Sequence, residues 1–212
     1  ELTLKIKKEI IFTAKKLVDI GFNLGAEGNL SIRKNKDIYI TPSGIDAYNL
    51  NDKQICVLDQ TGKLESKNKP SSETNLHMML YKKRKDINAI VHTHSTWASI
   101  LSCLRIKIPS FHYMIAEFGG NEIPCAKYST FGTLELAQNV TKALGNKKGC
   151  LISNHGQITV GKNLEEAFYL SKSMEKLSKQ FYFCNLSKNT KLLDKLEMDK
   201  VIKLFKTYKV KH

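Results

Sequence analysis

A single α/β domain spanning residues 1–212 is the fold class this sequence predicts, on three observations. Apolar positions switch between helical spacing and short strand-like runs along the whole chain. Turn residues separate those runs at short intervals, with no linker, internal repeat or low-complexity stretch between them. The composition, 42% hydrophobic and 25% charged, is ordinary for a globular chain, and 212 residues can bury a core without disulfide staples.

Taken in order, Ile6, Ile10, Ala14, Leu17 and Val18 fall at helical spacing, so residues 4–20 open the chain as an amphipathic helix closed by Gly21. After the Gly25 and Gly28 loop, short strands follow at 30–33 and 37–41, joined by the turn Lys34-Asn35-Lys36. Thr41-Pro42-Ser43-Gly44 is a turn, and residues 55–58 form another strand. Pro70-Ser71-Ser72-Glu73 starts a helix, with serine oxygens available as caps and an apolar face at Leu76, Met79 and Leu80. Residues 87–94 read as a buried strand leading into a helix through Ala98, Leu101 and Leu104. Residues 105–132 are rich in Pro and Gly and read as loop. A helix is expected over 133–144, strands at 150–153 and 158–160, a long helix over 164–184 and another over 197–206.

The net charge of +14 invites a nucleic-acid partner. Only Arg33, Arg84 and Arg105 among the 34 basic residues carry a guanidinium, however, and lysine is spread evenly rather than clustered. Guanine and phosphate readers favour the arginine fork, so lysine on solvated faces is the simpler explanation and a nucleic-acid role is not expected. Five scattered cysteines without a C-x-x-C pair point to reduced, mostly buried thiols in a reducing compartment. No apolar run approaches the length of a membrane span and the start lacks a secretory core, which together imply a cytoplasmic protein.

The stretch Ala89-Ile90-Val91-His92-Thr93-His94 carries the chemistry. Residues i and i+2 of a strand share a face, so His92 and His94 present two imidazoles side by side, half of a metal site. His155, in a tight Asn154-His155-Gly156 connection, is the best third ligand, and Glu73 the best fourth. Three histidines and a carboxylate suit Zn²⁺, although imidazole also accepts other divalent transition metals. Each residue has a plainer alternative: a surface His-x-His, a turn histidine, and a carboxylate favourable at a helix N-terminus. His77 is expected to pack, and His212 is terminal. Gly28-Asn29, Ser43-Gly44 and Ser71-Ser72 offer backbone N–H groups and hydroxyls with little bulk, enough to cradle a phosphate if they meet in space. As isolated segments they are ordinary turn and cap residues.

Together, Gly28-Asn29-Leu30-Ser31, Thr41-Pro42-Ser43-Gly44, Ser71-Ser72-Glu73, His92-Thr93-His94 and Asn154-His155-Gly156 resemble, in order, the motifs of the class II aldolase/adducin family. The stretches His112–Ala116, Gly119-Gly120-Asn121, Ile123–Ala126, Thr130–Thr133 and Phe205–Tyr208 are similar to its aldolase branch. The resemblance implies a three-layer α/β/α sandwich with a large, mostly antiparallel central sheet, assembled as a homotetramer with active sites between subunits. It implies zinc on His92, His94 and His155, with Glu73 as acid/base and as a ligand in the empty enzyme. Gly28, Asn29, Ser43, Gly44, Ser71 and Ser72 would hold the phosphate of a small phosphorylated sugar. Tyr113 would donate a proton in the neighbouring site, and Phe131 and Tyr208 would shape the aldehyde end. The implied reaction is cleavage of L-fuculose 1-phosphate, or a similar ketose 1-phosphate, to dihydroxyacetone phosphate and L-lactaldehyde. Rivals within the family are a pentulose-phosphate 4-epimerase and a methylthioribulose-phosphate dehydratase; the non-enzymatic rival is an adducin-like interaction module. Two departures stand out: Ser43 where the pattern can have Thr, and Lys209 where it can have Gly.

Overall fold

A computed structural model describes residues 1–208; Lys209 and His212 lie outside the described residues. Seven strands form one sheet in the order β3-β2-β1-β4-β7-β6-β5. They span Asn29–Lys34 (β1), Asp37–Ile40 (β2), Cys56–Leu58 (β3), Ala89–Thr93 (β4), Cys125–Ala126 (β5), Gly149–Ile152 (β6) and Gly156–Gly161 (β7). Every neighbouring pair is antiparallel except β5 and β6, as the expected mostly antiparallel sheet requires.

Helices cover both faces. The α helices are Leu2–Asp19 (α1), Thr74–Lys83 (α2), Thr96–Cys103 (α3), Leu134–Leu144 (α4), Leu164–Leu186 (α5) and Lys195–Thr207 (α6). Strand alternation sorts the core into layers. Ile90, Ile152, Ile158 and Val160 pack with Leu76 and Leu80 of α2 and with Leu136, Val140 and Leu144 of α4. Ala89, Val91, Leu30 and Ile32 turn the other way, onto Ile6, Ile10 and Leu17 of α1 and the start of α5. A third cluster joins α3, α5 and Met198 of α6 around Phe118 and Leu151. Each large aliphatic side chain buried in these layers stabilises the fold by roughly 1.5–3 kcal/mol.

The differences from expectation have local causes. The turn after α1 closes with Gly21 and Phe22 donating to the Val18 and Leu17 carbonyls, as the glycine predicts. Within 105–132 the backbone forms a 3₁₀ turn at Tyr113–Phe118 and the two-residue strand β5, too short for periodicity to reveal. The serines before α2 do not cap it; Glu73 occupies the cap position, while Ser71 Oγ accepts from the Glu73 N–H at 3.2 Å. All five cysteines are free, but only Cys56 and Cys150 are buried; Cys103 and Cys184 are exposed, so burial explains fewer of the thiols than expected.

Candidate metal and phosphate site

The pairing of β1 with β4 sets Asn29 directly opposite His92. That one register places a phosphate-capable amide beside a candidate metal ligand. The β6–β7 hairpin completes the set: Ile152 pairs with Gly156, and the intervening turn, with Asn154 at φ +53°, projects His155 toward β4. Asparagine tolerates this left-handed conformation better than most residues. The turn is pinned on α3, where Ser102 accepts from the Asn154 and His155 N–H groups through its carbonyl and hydroxyl.

The three imidazoles converge. Ring centroids are 5.1 Å apart for His92 and His94, 4.7 Å for His92 and His155, and 5.0 Å for His94 and His155. One ligand nitrogen from each lies within 4.8 Å of the others, close enough to share a metal ion. His92 Nδ1 lies 2.8 Å from the Gln157 carbonyl, an acceptor, so that nitrogen carries the proton and Nε2 presents a lone pair. His94 Nε2 is buried without a hydrogen-bond partner, while its Nδ1 side faces Glu27 at 3.5 Å. A buried nitrogen without a partner is costly in a pocket unless a cation occupies its lone pair, so the donor set fits a metal. Burial, then the neighbouring His155 and His94, push the His92 pKa well below its ordinary value. Burial and His94 bring that of His155 down to about 4. Both rings are therefore neutral at pH 7, the form that ligates.

The same cavity, about 310 Å³, is lined by Gly28, Asn29, Ser43, Gly44, Ser71, Ser72 and Glu73 together with the three histidines. Gly28 is held at φ +68°, and a Cβ there would sit 2.6 Å from the His92 carbonyl, so only glycine lets the loop pass this close to β4. Glu73 is 4% exposed, and its burial raises its pKa, against the pull of the Gly132 N–H that donates to Oε1 at 3.0 Å. Gly132, at φ +76°, also packs against the Ser72 carbonyl. Glu73 lies outside the three-histidine group, on the adjoining wall.

Phe131 lines the cavity and is largely exposed at its mouth. Tyr113 and Tyr208 do not line it within one chain; Tyr113 is exposed and stacks at 6.4 Å on Phe205 of α6. The structure adds Tyr128, Ser129 and Asn154 to the wall, and two supports behind it. Asn23 accepts from the His94 N–H at 3.1 Å, and His77 contacts Asn29. The sequence carries little signal for Tyr128 or Asn23, because only the fold brings those loops to the site.

The sequence profile described as "Class II Aldolase and Adducin N-terminal domain" matches residues 8–182. The chain belongs to the class II aldolase/adducin family. An L-fuculose phosphate aldolase of Escherichia coli (strain K12) is 41% identical over 206 residues, covering 96% of this chain and 95% of the relative. A 5-methylthioribulose-1-phosphate/5-deoxyribulose-1-phosphate aldolase of Rhodospirillum rubrum is 38% identical over 203 residues, covering 96% and 92%. A solved structure of an L-fuculose 1-phosphate aldolase superposes with a TM-score of 0.92 at 37% identity, covering 95% of this chain and 96% of that one. The three-layer class II aldolase fold expected from the motifs is thus the fold of this chain. With aldolases as its 38% and 41% identical relatives, it is an enzyme of the class II aldolase type, and no helix among the described residues is long and apolar enough to cross a membrane.

Proposed function

We propose that the protein cleaves a ketose 1-phosphate, L-fuculose 1-phosphate foremost, into dihydroxyacetone phosphate and L-lactaldehyde, with Zn²⁺ as cofactor. One observation carries this: the histidine cluster, the phosphate-capable turns and buried Glu73 all line one small cavity. His92, His94 and His155 would hold the ion, which when bound supplies Lewis-acid charge for an enediolate. Gly28, Asn29, Ser43, Gly44, Ser71 and Ser72 would receive the phosphate through N–H and hydroxyl donors.

In this scheme the C4 hydroxyl of the sugar passes its proton through the Tyr113 hydroxyl of a neighbouring copy to solvent, the C3–C4 bond breaks, and its electron pair is left on the enediolate. Glu73, whose raised pKa suits proton exchange, delivers a proton to C3. Tyr113 from a neighbouring copy serves the aldehyde oxygen, and Phe131 and Tyr208 shape the aldehyde end. The exposed, stacked Tyr113 is what such sharing between copies needs, and a homotetramer is the assembly proposed. The chain acts as one domain in cytoplasmic carbohydrate breakdown, with no nucleic-acid or membrane partner.

A second substrate is favoured by a specific observation, the 38% identity to an aldolase acting on 5-methylthioribulose 1-phosphate and 5-deoxyribulose 1-phosphate. The phosphate half of the site would serve either sugar, and only the aldehyde end would differ. Assaying the three ketose 1-phosphates side by side and identifying the aldehyde separates the two. L-lactaldehyde from the best substrate supports the first assignment; acetaldehyde or (methylthio)acetaldehyde from the best substrate replaces it. The Ser71-Ser72-Glu73 pattern favours an aldolase over an epimerase, whose pattern resembles Ser-Ser-Asp.

A further inference from the structure

Behind Asn29 runs a polar chain almost wholly buried from solvent. His77 Nε2 lies 2.5 Å from Asn29 Oδ1, His77 Nδ1 lies 2.6 Å from Ser31 Oγ, and Ser31 Oγ lies 2.8 Å from the Tyr81 hydroxyl. His77 and Ser31 are fully buried and Tyr81 is 2% exposed. Asn29 and Ser31 are two residues apart on β1, and so face α2 together, where His77 and Tyr81 are four apart on one helical face. Beyond the chain, the Arg33 guanidinium sits 4.9 Å from the centre of the Tyr81 ring and donates to the Tyr81 carbonyl.

We propose that His77 is a positioning residue for substrate binding: its tautomer fixes which side of the Asn29 amide faces the phosphate. This rests on the assignment of Asn29 to the phosphate wall. Oδ1 can only accept, so His77 Nε2 carries the proton. A neutral imidazole has one N–H, so Nδ1 accepts and the Ser31 hydroxyl donates to it. The Ser31 oxygen then receives the Tyr81 O–H. Donation runs one way, from Tyr81 to Ser31 to His77 to Asn29, and leaves the Asn29 NH₂ for the cavity that residue lines. The opposite tautomer would turn the amide carbonyl toward an anionic ligand. Burial, which drives the pKa of His77 down to about 3, keeps the ring neutral and the direction single. Nothing in this chain touches the reacting carbons, so its effect is on anion affinity.

Nitrogen-15 NMR of the full-length, metal-loaded protein reads the tautomer directly, with His77→Gln identifying the resonances. The expected signature is a protonated Nε2 and an unprotonated Nδ1, unchanged between pH 5.5 and 8. A proton on Nδ1 overturns the proposal. Inorganic phosphate, titrated as a competitive ligand, supplies the second readout. His77→Leu should weaken phosphate binding about tenfold and Ser31→Ala about threefold, while His77→Gln, which keeps a donor near the ε position, stays close to wild type. Should His77→Leu not fold, Ser31→Ala carries the same test. Asn29→Ala separates the two levels. Wild-type phosphate affinity in Asn29→Ala overturns the phosphate wall itself. Weakened binding there, with wild-type affinity in both His77→Leu and Ser31→Ala (or in Ser31→Ala alone), overturns only the positioning role.

Discussion

His92 and His155 bring their Nε2 atoms to 3.1 Å of each other, while His92 donates its Nδ1 proton to the Gln157 carbonyl at 2.8 Å. A lone pair thus faces a second imidazole nitrogen in a buried setting, an arrangement a shared cation relieves. His155→Ala should lower zinc affinity at least about a hundredfold in competition with a chelating dye. Zinc bound at wild-type affinity would remove His155 from the ligand set.

Glu73 stands on the adjoining wall with one oxygen held by the Gly132 N–H. Glu73→Gln keeps that acceptor and the side-chain volume but removes the exchangeable proton. Turnover is expected to fall by about 10² to 10⁴, with melting temperature and inorganic phosphate affinity little changed. A kcat within a few-fold of wild type assigns the proton step elsewhere.

Much of this site was legible before the fold was. His92 and His94 share a strand face because side chains alternate, and a histidine in a tight hairpin turn had little packing reason to be there. Asn29 opposite His92 depends on strand register, which the sequence does not show. The support of Asn29 by His77 depends on packing α2 against β1, so His77 read only as a packed residue. Strand β5 escaped notice because two residues carry no alternation. The serines before α2 matched a capping pattern, but Ser71 lies two residues before the cap position and accepts from the N–H of the cap residue Glu73 itself.

Gly28 is constrained by its neighbours and not only by its turn. A methyl there meets the Asn23 side chain at 2.5 Å and the His92 carbonyl at 2.6 Å, at a φ of +68°. Gly28→Ala should destabilise the fold by about 2 kcal/mol or more, measured by urea denaturation, and raise the KM for the sugar phosphate. An alanine variant of wild-type stability would show that the loop moves freely away from β4.

The buried His77 also sets a pH dependence. Its folded pKa, about 3, lies below the unfolded value of about 6.5. The unfolded chain therefore binds a proton that the folded chain refuses, and stability is lost as pH falls from 6.5 toward 3. Between pH 6.5 and 5 this amounts to about 1.6 kcal/mol. Denaturation of the wild type and His77→Gln at both pH values isolates it: the variant should lose about that much less stability on acidification. Equal losses would mean that His77 is protonated in the fold.

A shared active site predicts complementation. Four chains of 24.1 kDa give a particle of about 96 kDa by light scattering. Co-refolding Tyr113→Phe with Glu73→Gln should restore about a quarter of wild-type activity, because one neighbour pairing in four combines an intact Glu73 with an intact Tyr113. Activity no greater than the mean of the two variants would confine each site to a single chain.

The most direct test of the account is dihydroxyacetone phosphate release from L-fuculose 1-phosphate and 5-deoxyribulose 1-phosphate, before and after chelation and after adding Zn²⁺ back. The three-histidine site predicts release from at least one sugar, loss on chelation, and recovery with the ion. Undiminished release from metal-free protein, or none from either sugar with zinc bound, would contradict it.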